Sequence, residues 1–554
     1  MLQDRFLQNS WFHRTTQDLF AEVCACKLDQ VAIVFEEEEV VTYRALQQRI
    51  NQLSQGLLEL GVNKGDVISV LPSPTPEFAC VYFATLQVGA IINPLNLLWG
   101  ELEFKGVLPR NNPNVIITVD HYGDRDYIQT LRDSIPDLRQ DGGQVLAASV
   151  PALSHLVCLS RQGKGYDGFM DFRDLVERGA GWNQSTFDRL IGNSEPTDIQ
   201  FMCQTSGTTG LSKSALWDHR PPLATANFGA KHLGCQEHDS YINLSPFYHN
   251  SGLFGINLSL TLTGSTLYLM EQFRPAKALA IIDRYKVTST FGFDSHWQGL
   301  LRAPEFADCD FTISRAVLAG EPKTYDLVKD MCPPGACINN LYAQTENGPL
   351  VSFAELDCMD YNIKKYTHGR PLPGVQVVIK DLDTGAPVPQ GQPGEICYKS
   401  PYMFRGYHRQ EEETRKSFDG EGYFHSGDYG TFGDGYITFL GRLGGVLKTG
   451  GENVSTVRVT ALLLDQFQNE FDDVKTVGIP DPYWGSKIVS FVRPLAGRNL
   501  RATREIREDC KGIMAIYEIP QEFLVWEGEW PVSPEGKIGF RKLEQEAAAR
   551  VRDQ

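Results

Sequence analysis

The stretch with the clearest chemical content is Thr205-Ser206-Gly207-Thr208-Thr209-Gly210-Leu211-Ser212-Lys213, which follows the apolar run Ile199 to Cys203. Glycines let a backbone approach a polyphosphate closely, hydroxyls donate to its oxygens, and a lysine at the loop's end supplies positive charge. A flexible surface turn is the plainer alternative, but it explains neither the run of small hydroxyl and glycine residues nor the lysine that closes it. Gly207 to Ser214 is one residue away from the Walker pattern GxxxxGK[ST], with Ser212 where the second glycine belongs. A Walker loop opens directly into a helix whose N-terminus faces the phosphate. Here Ala215-Leu216-Trp217 leads through Asp218-His219-Arg220 into Pro221-Pro222, which reads as strand, turn and then helix. The expectation is a phosphate loop of a different kind.

Further along the chain stand Pro246-Phe247-Tyr248-His249, Gly320-Glu321-Pro322, Tyr342-Ala343-Gln344-Thr345-Glu346, Tyr423-Phe424-His425-Ser426-Gly427-Asp428, Gly441-Arg442, Lys448-Thr449-Gly450-Gly451-Glu452-Asn453-Val454 and Gly536-Lys537-Ile538. With the loop at Thr205, this series resembles the adenylate-forming superfamily of acyl-CoA synthetases, adenylation domains and firefly luciferase. The order of the motifs is the superfamily's, and they span more than three hundred residues.

The resemblance implies an ATP-dependent carboxylic acid ligase that forms an acyl-adenylate and then an acyl-CoA thioester, releasing pyrophosphate and AMP. Thr205, Ser206, Gly207, Thr208, Thr209, Gly210 and Lys213 would hold the outer phosphates, Thr345 the α-phosphate and Glu346 a magnesium ion, a hard cation suited to carboxylate oxygen. Gly320, Glu321, Pro322 and Tyr342 would border adenine. Asp428 has two acceptor oxygens for the ribose hydroxyls, and Arg442 has a fork of donors for ribose or phosphate. Lys537 would bridge the attacking carboxylate and the α-phosphate, a task for a mobile point charge; a solvated surface lysine is the plainer reading. His249 would position the acid, although a histidine beside Phe247 and Tyr248 also suits a satisfied core residue. The acyl pocket would be lined by Phe247, His249, Phe254, Phe291, Phe293, Trp297 and Ala319, walls that favour a hydrophobic acid; Asp294 keeps an amino acid substrate in view. Lys448, Gly450 and Gly451 would admit the pantetheine arm of coenzyme A. Thioester formation would follow a swing of the C-terminal domain about a hinge near 442–445.

Departures from the superfamily pattern concentrate in the thioester-forming parts. Gly444, followed by Gly445, stands where the hinge usually has Asp or Lys, and Thr456, Arg458 and Thr460 replace a proline and two glutamates. Ser212 and Ser214 replace a proline and a glycine in the phosphate loop. Two alternatives follow: an enzyme that loads a carrier protein's phosphopantetheine, and a nucleotide- or acyl-binding homologue without catalysis. The second predicts missing ionic residues, yet Lys213, Glu346, Asp428, Arg442 and Lys537 are all present.

These residues need elements to position them. Short apolar runs at Val67 to Leu71, Val115 to Val119, Leu156 to Leu159, Tyr241 to Leu244, Thr266 to Met270 and Ala316 to Leu318 alternate with helical stretches such as Tyr43 to Leu60. That alternation argues for an α/β protein with a large N-terminal domain of layered sub-lobes. After Gly369 closely spaced glycines predict a β sub-lobe, and beyond Arg442 a helix near Val459 to Phe467 and a strand at Val474 to Ile479 predict a small α+β domain, which the resemblance implies is mobile. The expected division is 1–441 and 442–554. At 554 residues more than one core is expected. A net charge of -17 opposes a nucleic acid partner. Twelve cysteines without a CxxC pair, no basic leader and no apolar run long enough for a bilayer point to a cytoplasmic protein with reduced thiols. The small partners implied are ATP, Mg2+, a hydrophobic acid and coenzyme A or a carrier protein; the oligomeric state is left open, with a homodimer in view.

Overall fold

The computed structural model describes residues 10–141, 144–181, 183, 185, 194–205, 212–443, 446–449, 452–481, 484–511, 514, 516–532 and 538–552. Ser206 to Gly210, Gly444, Gly450, Gly451 and Lys537, together with the Lys448 side chain, lie outside the described parts. Two compact units result: 1–365 with 372–375 and 400–417, and 366–371 with 376–399 and 418–554.

In chain order the first unit carries strands β1 (Val31–Phe35), β2 (Glu39–Thr42), β3 (Val67–Val70), β4 (Ile91–Pro94), β5 (Val115–Val119), β6 (His155–Leu159), β7 (Phe201–Gln204), β8 (Ser214–Trp217), β9 (Ser240–Asn243), β10 (Thr266–Leu269), β11 (Ser289–Phe293), β12 (Arg315–Ala319), β13 (Cys337–Ala343) and β14 (Leu350–Phe353). Apart from a two-residue strand at one end of each, one sheet runs β6-β5-β3-β4-β7-β8 and another β2-β1-β10-β9-β11-β12-β13-β14. Neighbours are parallel except at the ends, where β7–β8, β1–β2 and β13–β14 are antiparallel. Parallel strands covered on both faces need unbroken apolar runs rather than alternation. Val115 to Val119 is accordingly buried along its whole length.

Helices cover these sheets, some buried nearly all round and others along one apolar stripe. In helix α1 (Tyr43–Glu59) Leu46, Ile50, Leu53 and Leu57 are buried at three- and four-residue spacing, and the Thr42 side chain accepts from Ala45 N at 3.2 Å. Burial of each aliphatic side chain contributes roughly 1.5–3 kcal/mol, the N-cap about 1. One apolar core joins Ile242, Leu244, Leu279, Trp297, Leu318 and Val328; another joins Leu71, Leu108, Ile116, Leu131 and Leu156.

In the second unit β15 (Gln376–Lys380), β16 (Gly394–Lys399), β17 (Phe424–Gly433) and β18 (Tyr436–Arg442) form an antiparallel sheet in chain order. Next come the hairpin β19 (Val446–Thr449) and β20 (Glu452–Ser455), helix α2 (Thr456–Gln466) and a sheet of β21 (Phe471–Asp481), β22 (Gly485–Pro494) and β23 (Glu522–Val525). Val459, Leu463, Phe471, Val474 and Val492 form the core there.

The compact units do not divide at Gly441 and Arg442. Ser455 Oγ donates to Leu440 O and Val457 lies against Gly441, so the chain after Arg442 is built onto β18. Residues 400–417 leave the β sub-lobe for the first unit. Leu216 N donates to Gly406 O at 2.9 Å, Arg405 N to Leu216 O at 2.7 Å and His408 N to Ser214 O at 2.8 Å, which extends the edge of β8.

Candidate functional site

Strand order places the candidate residues. Within the second sheet, β10 lies on one side of β9 and β11 on the other, so the winding reverses between β9 and β11. In open parallel sheets that reversal leaves a crevice beyond the carboxyl ends of the strands. Pro246 to His249 follow β9, Phe293 ends β11, Ala319 ends β12 and continues into Gly320-Glu321, and Gln344-Thr345-Glu346 follow β13. Three of the expected motif segments, with Phe293 of the expected acyl pocket, therefore stand at the carboxyl ends of the strands of one sheet.

The loop expected to hold phosphate leaves one strand and returns on its antiparallel neighbour. Strands β7 and β8 pair antiparallel from Phe201 with Trp217 to Gln204 with Ser214. At its neck Thr205 N donates to Lys213 O at 2.8 Å, Lys213 N donates to Thr205 Oγ1 at 3.2 Å and Ser212 Oγ donates to Thr205 O. Helix α3 (Arg220–Leu233) starts only after Asp218 and His219, so the loop is not of the Walker type. Beneath the neck a polar ladder runs inward: Ser214 Oγ to Asn111 Oδ1 at 2.8 Å, Gln204 Nε2 to Asn93 Oδ1 at 2.7 Å and Asn93 Nδ2 to Ser69 Oγ at 2.8 Å. The guanidinium of Arg110 donates to Ser212 O.

Thr345 and Glu346 are held from three directions. Asn250 Nδ2 donates to Thr345 Oγ1 at 3.1 Å, Trp217 Nε1 donates to Thr345 O at 2.9 Å and Phe404 N donates to Glu346 O at 2.8 Å. The Tyr407 hydroxyl donates to Glu346 Oε1 at 2.7 Å. Burial, and then the Glu346 charge, push the Tyr407 phenol well above its ordinary range, so it stays a donor. Lys213 Nζ lies 4.8 Å over the Tyr407 ring and 2.8 Å from Glu413 Oε2. One tyrosine thus touches the lysine that ends the phosphate loop and the acidic residue expected to hold magnesium. A carboxylate oxygen at the open end of a strand suits that hard cation.

His249 N-caps helix α4 (Asn250–Ile256). Its Nδ1 accepts from Ser251 N at 3.2 Å, which leaves the proton of the neutral ring on Nε2, and its edge meets Phe293 at 5.5 Å. Phe293 contacts Phe291 at 5.2 Å, Phe291 contacts Phe254 at 6.3 Å, and Ala319 stands beside Phe293 in register. His249, Phe254, Phe291, Phe293 and Ala319 are thereby gathered on one side. Phe247 instead stacks on Phe78 at 4.8 Å with 0% exposure, and Trp297 is enclosed in the core at 0%. Tyr342 is 4% exposed, so little of its ring is open to a ligand.

Asp294 has a different setting from that of an ammonium partner. It opens helix α5 (Asp294–Arg302), and its Oδ1 accepts from Glu321 N at 3.1 Å and from the Thr324 hydroxyl. A Cβ at Gly320 would come within 2.4 Å of that oxygen, so glycine is required for the close approach. Asp294 therefore fixes the turn that enters helix α6 (Pro322–Met331).

In the second unit Asp428 is 1% exposed and pairs with Arg442, Nε to Oδ1 at 3.0 Å, across β17 and β18. Arg442 is half exposed. The sequence reading missed Asn250, Trp217 and Tyr407. Each reaches Thr345 or Glu346 from 61 to 128 residues away, a separation no local pattern encodes.

Comparisons with known proteins agree with this arrangement. The family model for the AMP-binding enzyme matches residues 20–408. YngI of Bacillus subtilis (strain 168) is 25% identical over 540 residues, covering 96% of this chain and 97% of its own. Human mitochondrial medium-chain acyl-CoA ligase ACSF2 is 25% identical over 541 residues, 93% and 85% of the two chains. The crystal structure of the anthranilate CoA ligase AuaEII in complex with anthranoyl-AMP superposes with a TM-score of 0.81 at 23% identity, covering 98% of each chain. With a family model spanning well over half of its length, this chain belongs to the AMP-binding enzyme family.

Proposed function

We propose that the protein activates a hydrophobic carboxylic acid with ATP as an acyl-adenylate and transfers the acyl group to coenzyme A. The observation that carries this reading is the convergence of Lys213, Tyr407, Glu346 and Thr345 through contacts of 2.7 to 4.8 Å, next to the His249, Phe293 and Ala319 edge.

A carboxylate is a poor electrophile, and its attack on the α-phosphate of ATP creates an acyl anhydride with AMP as a good leaving group. Charge grows on the phosphoryl oxygens during that displacement, so fixed donors and cations matter most. Lys213 would face the outer phosphates, and the Thr345 hydroxyl, oriented by Asn250, would donate to the α-phosphate. Glu346, oriented by Tyr407, would hold magnesium, which when bound neutralises phosphate charge. His249, with its proton on Nε2, would orient the acid. Lys537 would add a mobile cation, and Lys448, Gly450 and Gly451 would admit the thiol arm after rotation near Gly444. The relatives named for acyl-CoA formation and the neighbour that holds anthranoyl-AMP support this reading.

The aromatic edge formed by Phe254, Phe291 and Phe293 favours an apolar acid. Asp294, engaged with Glu321 and Thr324, argues against an amino acid. The test is mass spectrometry of products from a panel of aliphatic and aromatic acids with ATP and magnesium, with and without coenzyme A. Acyl-AMP and pyrophosphate are expected without the thiol, and a thioester with AMP in its presence. Absence of pyrophosphate with every acid would overturn the reading; adenylate without thioester would limit it to the first step.

A further inference from the structure

Among the described residues, Glu395, Cys397 and His425 present a carboxylate oxygen, a thiol sulfur and an imidazole nitrogen within 4.8 Å of one another. The sheet places them together. Glu395 and Cys397 are two apart on β16, and Cys397 stands opposite His425 on β17. His425 Nδ1 lies 2.7 Å from Glu395 Oε2 and 3.6 Å from Cys397 Sγ. Asp419 Oδ2 lies 3.8 Å from the other ring nitrogen, Nε2.

We propose that these three side chains form a binding site for a borderline-soft divalent cation of the zinc type, separate from the magnesium of the adenylation step. Zinc at 2.0–2.1 Å from nitrogen or oxygen and 2.3 Å from sulfur, in tetrahedral geometry, sets ligand atoms about 3.3 to 3.6 Å apart. The nitrogen-to-sulfur distance already meets that value. A small rotation of Glu395 brings in the oxygen, and the metal takes the position between Nδ1 and Oε2. Asp419 Oδ2, 3.8 Å from Nε2, stands on the side of the ring from which a carboxylate can orient a ligating imidazole. A sulfur, nitrogen and oxygen set selects zinc or cobalt over magnesium or calcium.

Glu395 and His425 line a cleft of about 310 Å³ bordered by Lys380, Asp381, Leu443 and Val446, which gives a fourth ligand room to be water. Cys397 is fully buried, so the cleft leads to the metal from the histidine side. Lys380 is a cation nearby, but its ammonium is neutralised by Asp419 and Glu421. Glu395 Oε1 also accepts from Gly427 N at 2.9 Å, one residue before Asp428. The metal would therefore brace β16 against β17 beside the register shift that precedes Asp428.

The test uses the full chain, stripped with a chelator and dialysed against zinc or cobalt in the presence of excess magnesium. One retained equivalent is expected, with cobalt giving a thiolate-to-metal charge-transfer band in the near ultraviolet. Cys397→Ser should abolish the band and His425→Gln should weaken retention at least tenfold. The wild-type readout stands even where a variant does not fold. No retained equivalent in wild type, or a band that persists in a folded Cys397→Ser variant, overturns the site.

Discussion

The Tyr407 hydroxyl donates to Glu346 Oε1 at 2.7 Å while the same ring lies beneath the Lys213 ammonium at 4.8 Å. A phenol kept protonated by burial is thus fixed between two oppositely charged groups that act on one polyphosphate in the proposed reaction. Tyr407→Phe keeps the ring and removes the donor. Hydrogen bonds to charged groups are worth about 1.5–3 kcal/mol, so adenylate formation should fall by roughly 10- to 100-fold. The magnesium concentration for half-maximal rate should shift as well, with little change in melting temperature. An unchanged rate and magnesium dependence would show that Glu346 needs no such support.

Asp294 and Gly320 form the second pair with a measurable consequence. Asp294→Ala removes the acceptor for Glu321 N and the Thr324 hydroxyl, and loss of such a cap costs about 0.5–2 kcal/mol. Gly320→Ala forces a carbon toward Asp294 Oδ1, with overpacking of about 1–3 kcal/mol. Because both changes act on one contact, the double variant should be less unstable than the sum of the singles. Additive losses in urea unfolding would separate the two residues.

Stability should depend on pH in a defined window. His219, His296 and His368 are buried, and burial pushes their rings down to about 3, 4 and 4 from 6.5. Their Nδ1 atoms accept from Thr16 N at 3.1 Å, Phe293 N at 3.3 Å and Phe439 N at 3.1 Å. The unfolded chain binds more protons than the folded one below 6.5, so this stability is complete above 6.5 and declines as pH falls toward 4. Urea midpoints should drop between about pH 7.5 and pH 5, and His296→Gln, which cannot protonate, should flatten part of that slope. An equal slope in the variant would remove His296 from the account.

Lys537 lies outside the described residues, and its role rests on the motif that surrounds it. Lys537→Ala should depress formation of the acyl-adenylate far more than thioester formation from supplied adenylate. Comparable losses in both half-reactions would argue for a general structural contribution.

Much of the arrangement was readable from local pattern. Ala215-Leu216-Trp217 ahead of two prolines announced a returning strand, and β8 followed by a helix from Arg220 is what forms. Val115 to Val119 was legible as a buried strand because a parallel strand covered on both faces requires a continuous apolar run. Helix α1 was legible from its three- and four-residue spacing. The path of 400–417 was not. Its pairing with β8 depends on backbone donors and acceptors of Arg405, Gly406 and His408, which every residue type carries.

What the amino-acid order alone determined was the kind of chemistry and the elements that bear it: a hydroxyl- and glycine-rich loop closed by Lys213, a threonine and glutamate after a strand, and α/β layers. Periodicity suffices for the layers and the resemblance of the motifs for the chemistry, because each such feature is local. Only the tertiary structure decided which side chains hold those groups. Asn250 and Trp217 orient Thr345, Tyr407 ties Glu346 to Lys213, Asp294 turns toward Glu321, and Trp297 is withdrawn into the core. Such contacts arise from strand order and from packing between distant segments, and a donor and an acceptor 61 or 128 residues apart leave no mark in the spacing of either.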